Sequence, residues 1–388
     1  MNDSGIKLEV HLIQNFAPSN LNRDDTGQPK SATFGGFRRA RLSSQCSKRS
    51  TRQMWRENGS ASVGERTKLL KAELMPRLKA DGRTDEQIGT ALNTFLTQFY
   101  SKMDGEKTAV LLFVSREELE ACVQAINAHW DVLSAGNQVE NNVARGISGN
   151  IRQAETSADI ALFGRMLAEQ PGRNTDGACQ VAHPISTHKV DMEMDFYTAV
   201  DDLNPAEETG AGMMGVVGFN SACYYRYALV DRDQLARNLA RKTERKNGTW
   251  AEELQAKDYE EADKVIKAFL EAMVYAIPTG KQNSFAAQNL PSFGFFVRRQ
   301  GGVPISLANA FAKPVRSTKD DDDLVGLSVA ALTKHWDAMQ KVYGVQGVQT
   351  TSCFHLEQES RLNRLSDSDK GSVNDAIKAV TEATGGTK

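Results

Sequence analysis

Alternating apolar and polar positions mark the first element of the chain. Apolar residues occupy every second position from Ile6 to Leu12, and Lys7, Glu9 and His11 lie between them. This is the period of a strand that buries one face. The pattern therefore predicts that the chain begins with the first strand of a sheet.

A long loop and a helix follow in the predicted order of elements. Asn20 to Gly36 is rich in Gly, Pro, Asn and Asp, which predicts a loop without regular structure. Loops of this length commonly have a function. Ser43 and Ser44 then precede a run without Gly or Pro that ends at Gly59, which predicts a helix with a serine N-cap.

The remaining pattern alternates between helical and extended segments. Thr67 to Gln170 has helical spacing interrupted by AVLLFVS, which predicts a mainly helical insertion. Gly172 to Gly218 predicts two extended arms around the turn-rich tip NPAEETGAGMMG. Gly215 to Leu229 reads as a central strand, Ala251 to Ile277 as helical and Phe293 to Arg298 as a further strand.

This order of elements predicts an α+β fold. Without the insertions the order is strand, helix, strand, helix, strand, which is close to the split βαβ pattern of ferredoxin-like and RNA-recognition folds. A chain of 388 residues should divide into roughly two or three structural units.

Composition excludes several classes of protein. The chain is 40% hydrophobic and 25% charged, and no apolar run approaches the roughly 20 residues of a membrane helix. The amino terminus lacks the features of a secretory signal, so we expect a cytoplasmic protein. The five cysteines lie far apart without a CxxC pair, which favours reduced thiols and gives no zinc site. Neither a metal nor another cofactor is expected.

The local distribution of charge indicates more about binding partners than the net charge does. The formal net charge is −2, yet Thr26 to Trp55 contains seven basic residues and no acidic one. Such a concentrated basic segment is typical of proteins that bind phosphate backbones. The basic residues are Lys30, Arg38, Arg39, Arg41, Lys48, Arg49 and Arg52.

The start of the predicted helix has the chemistry of a phosphate cradle. Gln45, Lys48 and Arg52 have helical spacing and share one face, just after Ser43 and Ser44. The unpaired N–H groups of a first helical turn and the helix dipole favour an anion there. The alternative is a solvated surface helix with an ordinary serine cap, and the segment alone does not separate these interpretations.

Asp24 and Asp25 are the best candidates for catalytic residues in this sequence. A carboxylate on a loop beside basic residues could hold Mg²⁺ against a phosphate. The alternative is that these residues form a turn or pair with Arg23. The histidines lack the spacing of a helical metal site, and FGG lacks the spacing and the Lys-Ser/Thr of a nucleotide-binding loop.

One extended arm carries neighbouring aromatic residues. Phe196 and Tyr197 could insert between bases or pack on a partner subunit, and Met213 and Met214 follow on the second arm. The alternative is core packing, since adjacent residues of a strand point to opposite faces and at least one is usually buried.

Taken in order, six motifs resemble one known family. The motifs are LNRDD (Leu21 to Asp25), FGGFRRARLSSQCSKR (Phe34 to Arg49), GRM (Gly164 to Met166), HPISTHKVDMEMDFYTAVDDL (His183 to Leu203), YYRYA (Tyr224 to Ala228) and LANAF (Leu307 to Phe311). With these motifs the chain resembles, over nearly its whole length, the backbone subunit of type I-E CRISPR Cascade, the CasC-type member of the RAMP superfamily.

The resemblance implies a right-hand shape. It implies an RNA-recognition-like palm in residues 1–58 and 220–388, helical fingers in 59–180 and a β-hairpin thumb in 181–219. It also implies a protein without enzymatic activity whose copies polymerise along one crRNA guide, kink it at regular intervals and present its bases to target DNA. Other Cascade subunits and a recruited nuclease-helicase are the further implied partners.

The resemblance also implies which residues bind RNA. Phosphate contacts are implied for the basic segment, and contacts at the kink are implied for Met166 and the thumb. The implied residues are Arg23, Lys30, Ser43, Gln45, Lys48, Arg49, Arg52, Met166, Phe196, Tyr197, Thr198, Val200 and Lys281.

Two other functions stay open from the sequence. One is a guide-dependent ribonuclease of the type III backbone kind, which would use Asp24 or Asp25. The resemblance of LNRDD to the non-cleaving pattern favours an aspartate paired with arginine instead. The other is a protein scaffold that uses the basic helix only as an assembly surface.

Overall fold

The computed structural model describes residues 5–80, 82–167, 169–200, 211–318, 323–356 and 362–382. The strands are β1 (Ile6–Ser19), β2 (Ser31–Phe34), β3 (Phe37–Ala40), β4 (Glu65–Thr67), β5 (Met103–Asp104), β6 (Lys107–Thr108), β7 (Leu112–Val114), β8 (Cys179–Val181), β9 (Ile185–Ser186), β10 (Glu193–Val200), β11 (Ala211–Asp231), β12 (Arg245–Lys246), β13 (Thr249–Trp250), β14 (Phe293–Gln300) and β15 (Val348–His355).

The helices confirm the α+β class. They are α1 (Ser44–Asn58), α2 (Leu70–Leu78), α3 (Asp85–Phe99), α4 (Arg116–Ala128), α5 (Trp130–Ser134), α6 (Asn141–Gln153), α7 (Ala158–Phe163), α8 (Arg232–Leu239), α9 (Ala256–Tyr275), α10 (Gln282–Phe285), α11 (Leu324–Tyr343) and α12 (Val373–Thr381). Short 3₁₀ helices occupy Pro171–Arg173, Ala308–Phe311 and Asn363–Ser368. No helix in the described ranges is long and apolar enough to span a bilayer.

The chain forms two compact units. The first contains residues 1–54, 180–230 and 266–388, and the second contains residues 55–179 and 231–265. The second unit therefore takes a stretch from the carboxyl-terminal half as well as the predicted insertion. The division into palm, fingers and thumb stays a prediction.

The first unit is built on one antiparallel sheet. Its main path runs β10, β11, β1, β14, β15, so the long strand β11 lies inside the sheet as predicted. β1 pairs with β14 from Ile6 opposite Gln300 to Ile13 opposite Phe293, and β14 pairs in turn with β15. The predicted strands at the start of the chain and at Phe293 are thus central strands.

The prediction that β1 buries only one face is wrong. Glu9 and His11, on the face expected to meet solvent, are fully buried. Both have polar partners, because Arg299 Nε donates to Glu9 Oε1 at 2.8 Å and His11 Nδ1 lies 2.9 Å from Tyr225 Oη. A central strand covered on both faces accepts polar side chains when each finds such a partner.

Different elements cover the two faces of the sheet. One face packs against α11 and the 3₁₀ helix Ala308–Phe311 in a cluster that includes Phe293, Phe295 and Trp336. The other face contributes Phe16 and Tyr224 to a cluster with Ala40 of β3 and Leu42, which lies between β3 and α1. The segment that leads into the basic helix is therefore anchored on the sheet by an apolar contact.

The prediction of a loop without regular structure from Asn20 to Gly36 is partly wrong, because the second half of this segment forms part of a hairpin. β2 pairs with β3 from Ser31 opposite Ala40 to Phe34 opposite Phe37. Gly35 and Gly36 form the connection with φ angles of +59° and +81°, which glycine adopts without strain. A Cβ at Gly35 would lie 1.8 Å from the Ala312 carbonyl oxygen, so this turn also needs glycine for space.

The two predicted extended arms pair with each other. β10 and β11 form an antiparallel ladder that begins at Glu193 opposite Phe219 and ends at Val200 opposite Ala211. Residues 201–210, which hold most of the predicted flexible tip, lie outside the described residues. That this arm acts as a thumb stays a prediction.

The second unit contains the predicted helical insertion. Leucine, isoleucine and phenylalanine side chains from α2, α3, α4 and α6 form its apolar core. The apolar run AVLLFVS supplies β7, which pairs with β4. Ser115 and Thr84 each form a capping box at the start of α4 and α3, so local sequence signals fix where these helices begin.

We expect His11 to make the fold sensitive to acid. Burial, and then the positive charge of Arg299, lowers the pKa of His11 from 6.5 to about 3. Its contribution to stability is present above pH 6.5 and is lost as the pH falls towards 3, because the unfolded chain takes up the proton first. The unfolding free energy of the wild type should therefore fall more steeply than that of His11→Gln, by on the order of 1 kcal/mol per pH unit.

Urea unfolding between pH 7 and pH 4 measures this difference. Burial raises the pKa of Glu9, which acts in the opposite direction, but Glu9 is common to both proteins and cancels in the comparison. His129→Gln, which changes a half-buried histidine of the second unit, is the control and should keep the wild-type slope. Equal slopes for the wild type and His11→Gln would contradict the prediction.

Candidate nucleic-acid interface

Three segments that are remote in sequence meet at one depression in the first unit. Its volume is about 710 Å³, and it is lined by the loop after β1, the first half of α1 and the loop before α10. Among its lining residues are Arg23, Ser43, Gln45, Arg49 and Lys281. The structure thus brings together five of the residues predicted to bind RNA. We refer to this depression as the groove.

Ser43 begins α1 as its N-cap. Its Oγ accepts a hydrogen bond from the Cys46 N–H at 3.2 Å, and its own N–H donates to Asn22 Oδ1 at 2.8 Å. The first bond satisfies one of the four N–H groups that a helix start leaves without a partner in the helix. The second ties the helix start to the loop after β1. Ser43 is buried, so its clearest role here is to position the helix start.

The face of α1 that lines the groove differs from the predicted face. Gln45, Arg49 and Gln53 line it at intervals of four residues. At about 100° per residue, Lys48 and Arg52 lie on the side of Gln45 away from Arg49, and neither is among the lining residues. Arg49 and Gln53 therefore take the position in the groove that the sequence had assigned to Lys48 and Arg52.

Arg39 is not part of an exposed basic surface, as the sequence had suggested. Its side chain is fully buried, and its guanidinium donates to the carbonyl oxygens of Ser186 at 2.9 Å and Phe311 at 2.6 Å. It therefore joins β3 to two other segments of the first unit.

Arg41 also has partners within the protein. Its Nε donates to the Ser31 carbonyl oxygen at 3.3 Å, and its Nη1 lies 2.9 Å from His183 Nδ1. Burial, and then the charges of Arg41 and Lys30, lowers the pKa of His183, so this histidine is a neutral partner for the guanidinium.

Asp24 shapes the loop after β1. Its Oδ1 accepts hydrogen bonds from the Thr26 hydroxyl at 2.7 Å, the Thr26 N–H at 2.9 Å and the Gln28 N–H at 3.0 Å. These bonds, the one from the Thr26 hydroxyl first, lower the pKa of Asp24 below its ordinary value. Of the two structural alternatives considered from sequence, the local turn is the one that Asp24 forms, since its hydrogen-bond partners are Thr26 and Gln28 rather than Arg23. Asp25 is exposed.

Two close contacts fix the loops around the groove. Asn20 is buried, and its Nδ2 donates to the carbonyl oxygens of Gly27 at 3.0 Å and Gly218 at 2.9 Å. A Cβ at Gly280 would lie 2.2 Å from the Leu21 carbonyl oxygen, so only glycine permits this approach. Lys281 follows in a left-handed conformation, with a φ of 52°.

Phe196 and Tyr197 lie on opposite faces of the β10–β11 arm. Phe196 is opposite Val216 and its side chain is 63% exposed, while Tyr197 is opposite Gly215 and is 39% exposed. A Cβ at Gly215 would lie 2.4 Å from the Tyr197 ring, so the tyrosine packs over a position that must lack a side chain. Core packing, the alternative considered from sequence, is thus wrong for Phe196.

The other predicted residues of the arm follow along the same strand. Thr198 is exposed and lies opposite Met214, and Val200 ends β10 opposite Ala211. The exposed apolar surface of the arm is larger than predicted. It is formed by Met194, Phe196, Met213, Met214 and Val216, each more than half exposed.

Met166 belongs to the second unit. Its side chain is 81% exposed, although its neighbour Arg165 is buried and pairs with Glu118 at 2.6 Å. The Leu167 N–H donates to Asn174 Oδ1 at 2.6 Å on its other side. Met166 is thus held outward by a firmly anchored backbone.

Some predicted residues lie outside the lining of the groove, and some of its lining was not predicted. Lys30, Lys48 and Arg52 are partly exposed but are not among its lining residues, and neither are Met166 and the residues of the arm. Asn22, Gln53 and Thr279 were missed. The helical spacing of Gln53 from Gln45 was a usable signal, whereas Thr279 had none. No group of three or more metal-ligating side chains occurs in the described part of the chain.

The fold is that of solved chains from CRISPR surveillance complexes. One chain, described as "CRISPR RNA-guided surveillance complex, pre-nicking", matches with a TM-score of 0.83 and 26% identity over 97% of this chain and 99% of that chain. Another, described as "CRISPR RNA-guided surveillance complex", has a TM-score of 0.74 and 21% identity over the same shares. The protein belongs to the CT1975-like protein family, whose sequence model matches residues 8–382. No curated protein matches the chain.

We expect Gly280→Ala to destabilise the groove. The added methyl group would meet the Leu21 carbonyl oxygen, and overpacking of this kind costs about 1 to 3 kcal/mol. The midpoint of thermal unfolding should fall, and amide exchange in residues 20–24 should become faster. Gly146→Ala is the control, because nothing lies within 4 Å of its Cβ position in α6. An unchanged midpoint and unchanged exchange in Gly280→Ala would contradict the packing described above.

Proposed function

We propose that this protein is the guide-RNA-binding backbone subunit of a type I-E CRISPR Cascade surveillance complex. Its copies polymerise along the crRNA spacer, kink it at regular intervals and present its bases to target DNA. Its partners are further copies of itself, other Cascade subunits and a nuclease-helicase recruited to the assembled complex. The observation that carries this proposal is the groove where the three segments meet.

The chemistry of the groove suits a sugar-phosphate backbone. Arg23, Arg49 and Lys281 supply three positive charges against the two carboxylates of Asp24 and Asp25, and the amides of Asn22, Gln45 and Gln53 supply neutral donors. Charged and amide donors around a helix start are suited to phosphate oxygens. Among the residues that the structure describes, no aromatic side chain lines the groove, so they offer no platform there on which a base could stack.

This composition favours binding without regard to sequence. Contacts to phosphate and sugar fix the register of a nucleic acid but carry no information about its bases. A subunit that must hold any spacer requires that property. Lys30, Lys48 and Arg52 lie beside the groove and extend its positive charge along the path of the guide.

The β10–β11 arm suits a role at the kinks. It exposes Phe196 and methionine side chains, which give an adaptable apolar surface. Stacking on such a surface contributes about 1 to 3 kcal/mol per base and tolerates any base. Met166 presents a further exposed thioether, in the second unit. We assign these side chains to the intervals at which the guide is bent.

The first test of the proposal removes two cations from the groove. Arg49→Ala combined with Lys281→Ala should weaken binding of a single-stranded oligouridine. It should also reduce the slope of log affinity against log salt by about 0.7 for each lost phosphate contact. Fluorescence anisotropy at several salt concentrations measures both quantities.

Two further variants sharpen this test. Lys264→Ala, an exposed lysine of α9, is the matched control and should leave affinity and slope unchanged. Lys48→Ala combined with Arg52→Ala shows whether the neighbouring face of α1 also contacts the guide. If Arg49→Ala with Lys281→Ala binds with wild-type affinity and slope, the groove is not the guide site.

We further propose that the protein is not an enzyme. The rival function, a guide-dependent ribonuclease, requires Asp24 or Asp25 to hold a metal ion or activate water. Asp24 Oδ1 is engaged by three hydrogen bonds of its own loop, which disfavours such a role.

The test of this second proposal is a cleavage assay. Purified complex, given guide-complementary RNA and Mg²⁺, should leave the RNA intact. Asp24→Asn and Asp25→Asn should behave as the wild type does. Cleavage by the wild type that is lost in either variant would establish the ribonuclease function instead.

A further inference from the structure

Arg226 is a buried cation without an acidic partner. It lies in β11 and is 5% exposed. Its Nη1 donates to Gln14 Oε1 at 2.6 Å, and the other end of that amide is engaged, since Gln14 Nε2 donates to the Asn289 carbonyl oxygen at 2.7 Å. Within the described part of the chain, no carboxylate forms an ion pair with Arg226.

Three other buried arginines of this protein have stronger compensation. Arg299 pairs with Glu9 at 2.8 Å, and Arg165 pairs with Glu118 at 2.6 Å. Arg39 lacks a carboxylate but donates to the carbonyl oxygens of three residues. Arg226 has one neutral amide in place of these partners. An uncompensated buried charge is expensive, so its presence calls for a compensating use.

Arg226 lies on the face of the sheet that packs against the wall of the groove. Tyr224, two positions earlier in β11 and therefore on the same face, packs in one apolar cluster with Leu21, which lines the groove. Cys46 lines the groove from the first turn of α1. Burial raises the pKa of its thiol, while the positive charges of Lys30, Arg226 and Arg49 act in the opposite direction. Arg226 therefore lies within electrostatic reach of the groove wall, and the charges that act there from Lys30 and Arg49 have the same sign.

Arg226 also keeps its charge at neutral pH. Burial lowers its pKa only to about 10, well above the pH of a cell. A permanent cation beneath the groove acts through the low-dielectric interior of the sheet, where charge is screened less than in water.

We propose that Arg226 is a further determinant of phosphate binding, which attracts the guide backbone into the groove without touching it. Its charge is left uncompensated in the free protein and is neutralised by a phosphate in the groove. This inference rests on the proposed function. It adds one residue to the determinants of guide binding, a buried residue that does not itself contact the guide.

The proposal gives Arg226 opposite effects on stability and on binding. In the free protein the buried charge lowers stability, so its removal should raise the midpoint of thermal unfolding. In the bound protein the charge is favourable, so its removal should weaken binding. A residue with an ordinary structural role would lower the midpoint and leave the affinity of the folded protein unchanged.

The experiment compares Arg226→Met with the wild type. Methionine keeps much of the length of the side chain and removes its charge. Oligouridine affinity should fall roughly five- to twentyfold, on the order of one screened interaction between unit charges in a medium of effective dielectric constant about 20. The midpoint of the free protein should rise, and the increase that oligouridine produces in the midpoint should shrink.

Two controls separate charge from packing. Arg226→Lys keeps the charge and should bind within about threefold of the wild type. Arg298→Met removes another buried arginine of the first unit, one that donates to Gln349 Oε1 and to the Val380 carbonyl oxygen. It should lower the midpoint and leave the affinity of the folded protein unchanged.

The outcomes distinguish this inference from the proposed function. If the wild type binds oligouridine and Arg226→Met binds it equally well, the inference is rejected and the proposed function stays in place. Equal losses in Arg226→Met and Arg226→Lys, or a lowered midpoint in Arg226→Met, also reject it. A wild-type protein that does not bind oligouridine rejects the proposed function and this inference with it.

Discussion

Buried hydrogen bonds between side chains and backbone carbonyls hold the groove in place, and the arrangement of its cations depends on them. Asn20 donates to a carbonyl oxygen of its own loop and to one of β11, and Arg39 joins the β2–β3 hairpin to two other segments. Loops without such anchors would sample many conformations, at a cost of about 1 to 2 kcal/mol for each residue that binding must order. The anchors fix these loops before any ligand arrives.

Periodic signals were sufficient for the regular elements of the fold. The alternation from Ile6 to Leu12 located β1, and the serine pair before a run without Gly or Pro located α1 to within a residue. Such signals are local, so they do not show what covers an element. Glu9 and His11 read as solvent-facing because their partners, Arg299 and Tyr225, are hundreds of residues away in sequence.

The candidate site was predictable in its chemistry more than in its geometry. The predicted residue types, cations and amides near a helix start, are among those that line the groove, and they are suited to phosphate wherever they fold. The exact set of lining residues could not be predicted from the sequence. A difference of one position moves a side chain by about 100° around a helix, which places Arg49 rather than Lys48 in the groove. Charge counting also cannot separate an exposed arginine from one such as Arg39, whose donors are engaged by carbonyls. The contact of Gly280 with Leu21 joins segments with no common pattern.

The cations of this chain, whose net charge is near neutral, fall into two groups. Arg299 and Arg165 are paired with carboxylates in the interior, whereas the cations of the groove are concentrated in a few segments. A protein with excess positive charge everywhere would bind nucleic acid on any face and repel its own copies. With these interior arginines paired, Arg23, Arg49 and Lys281 form a local concentration of positive charge at the groove, which the carboxylates of Asp24 and Asp25 in its lining only partly offset. Under the proposed function, this distribution favours phosphate at the groove over other parts of the protein, because interior cations such as Arg299 and Arg165 are already paired.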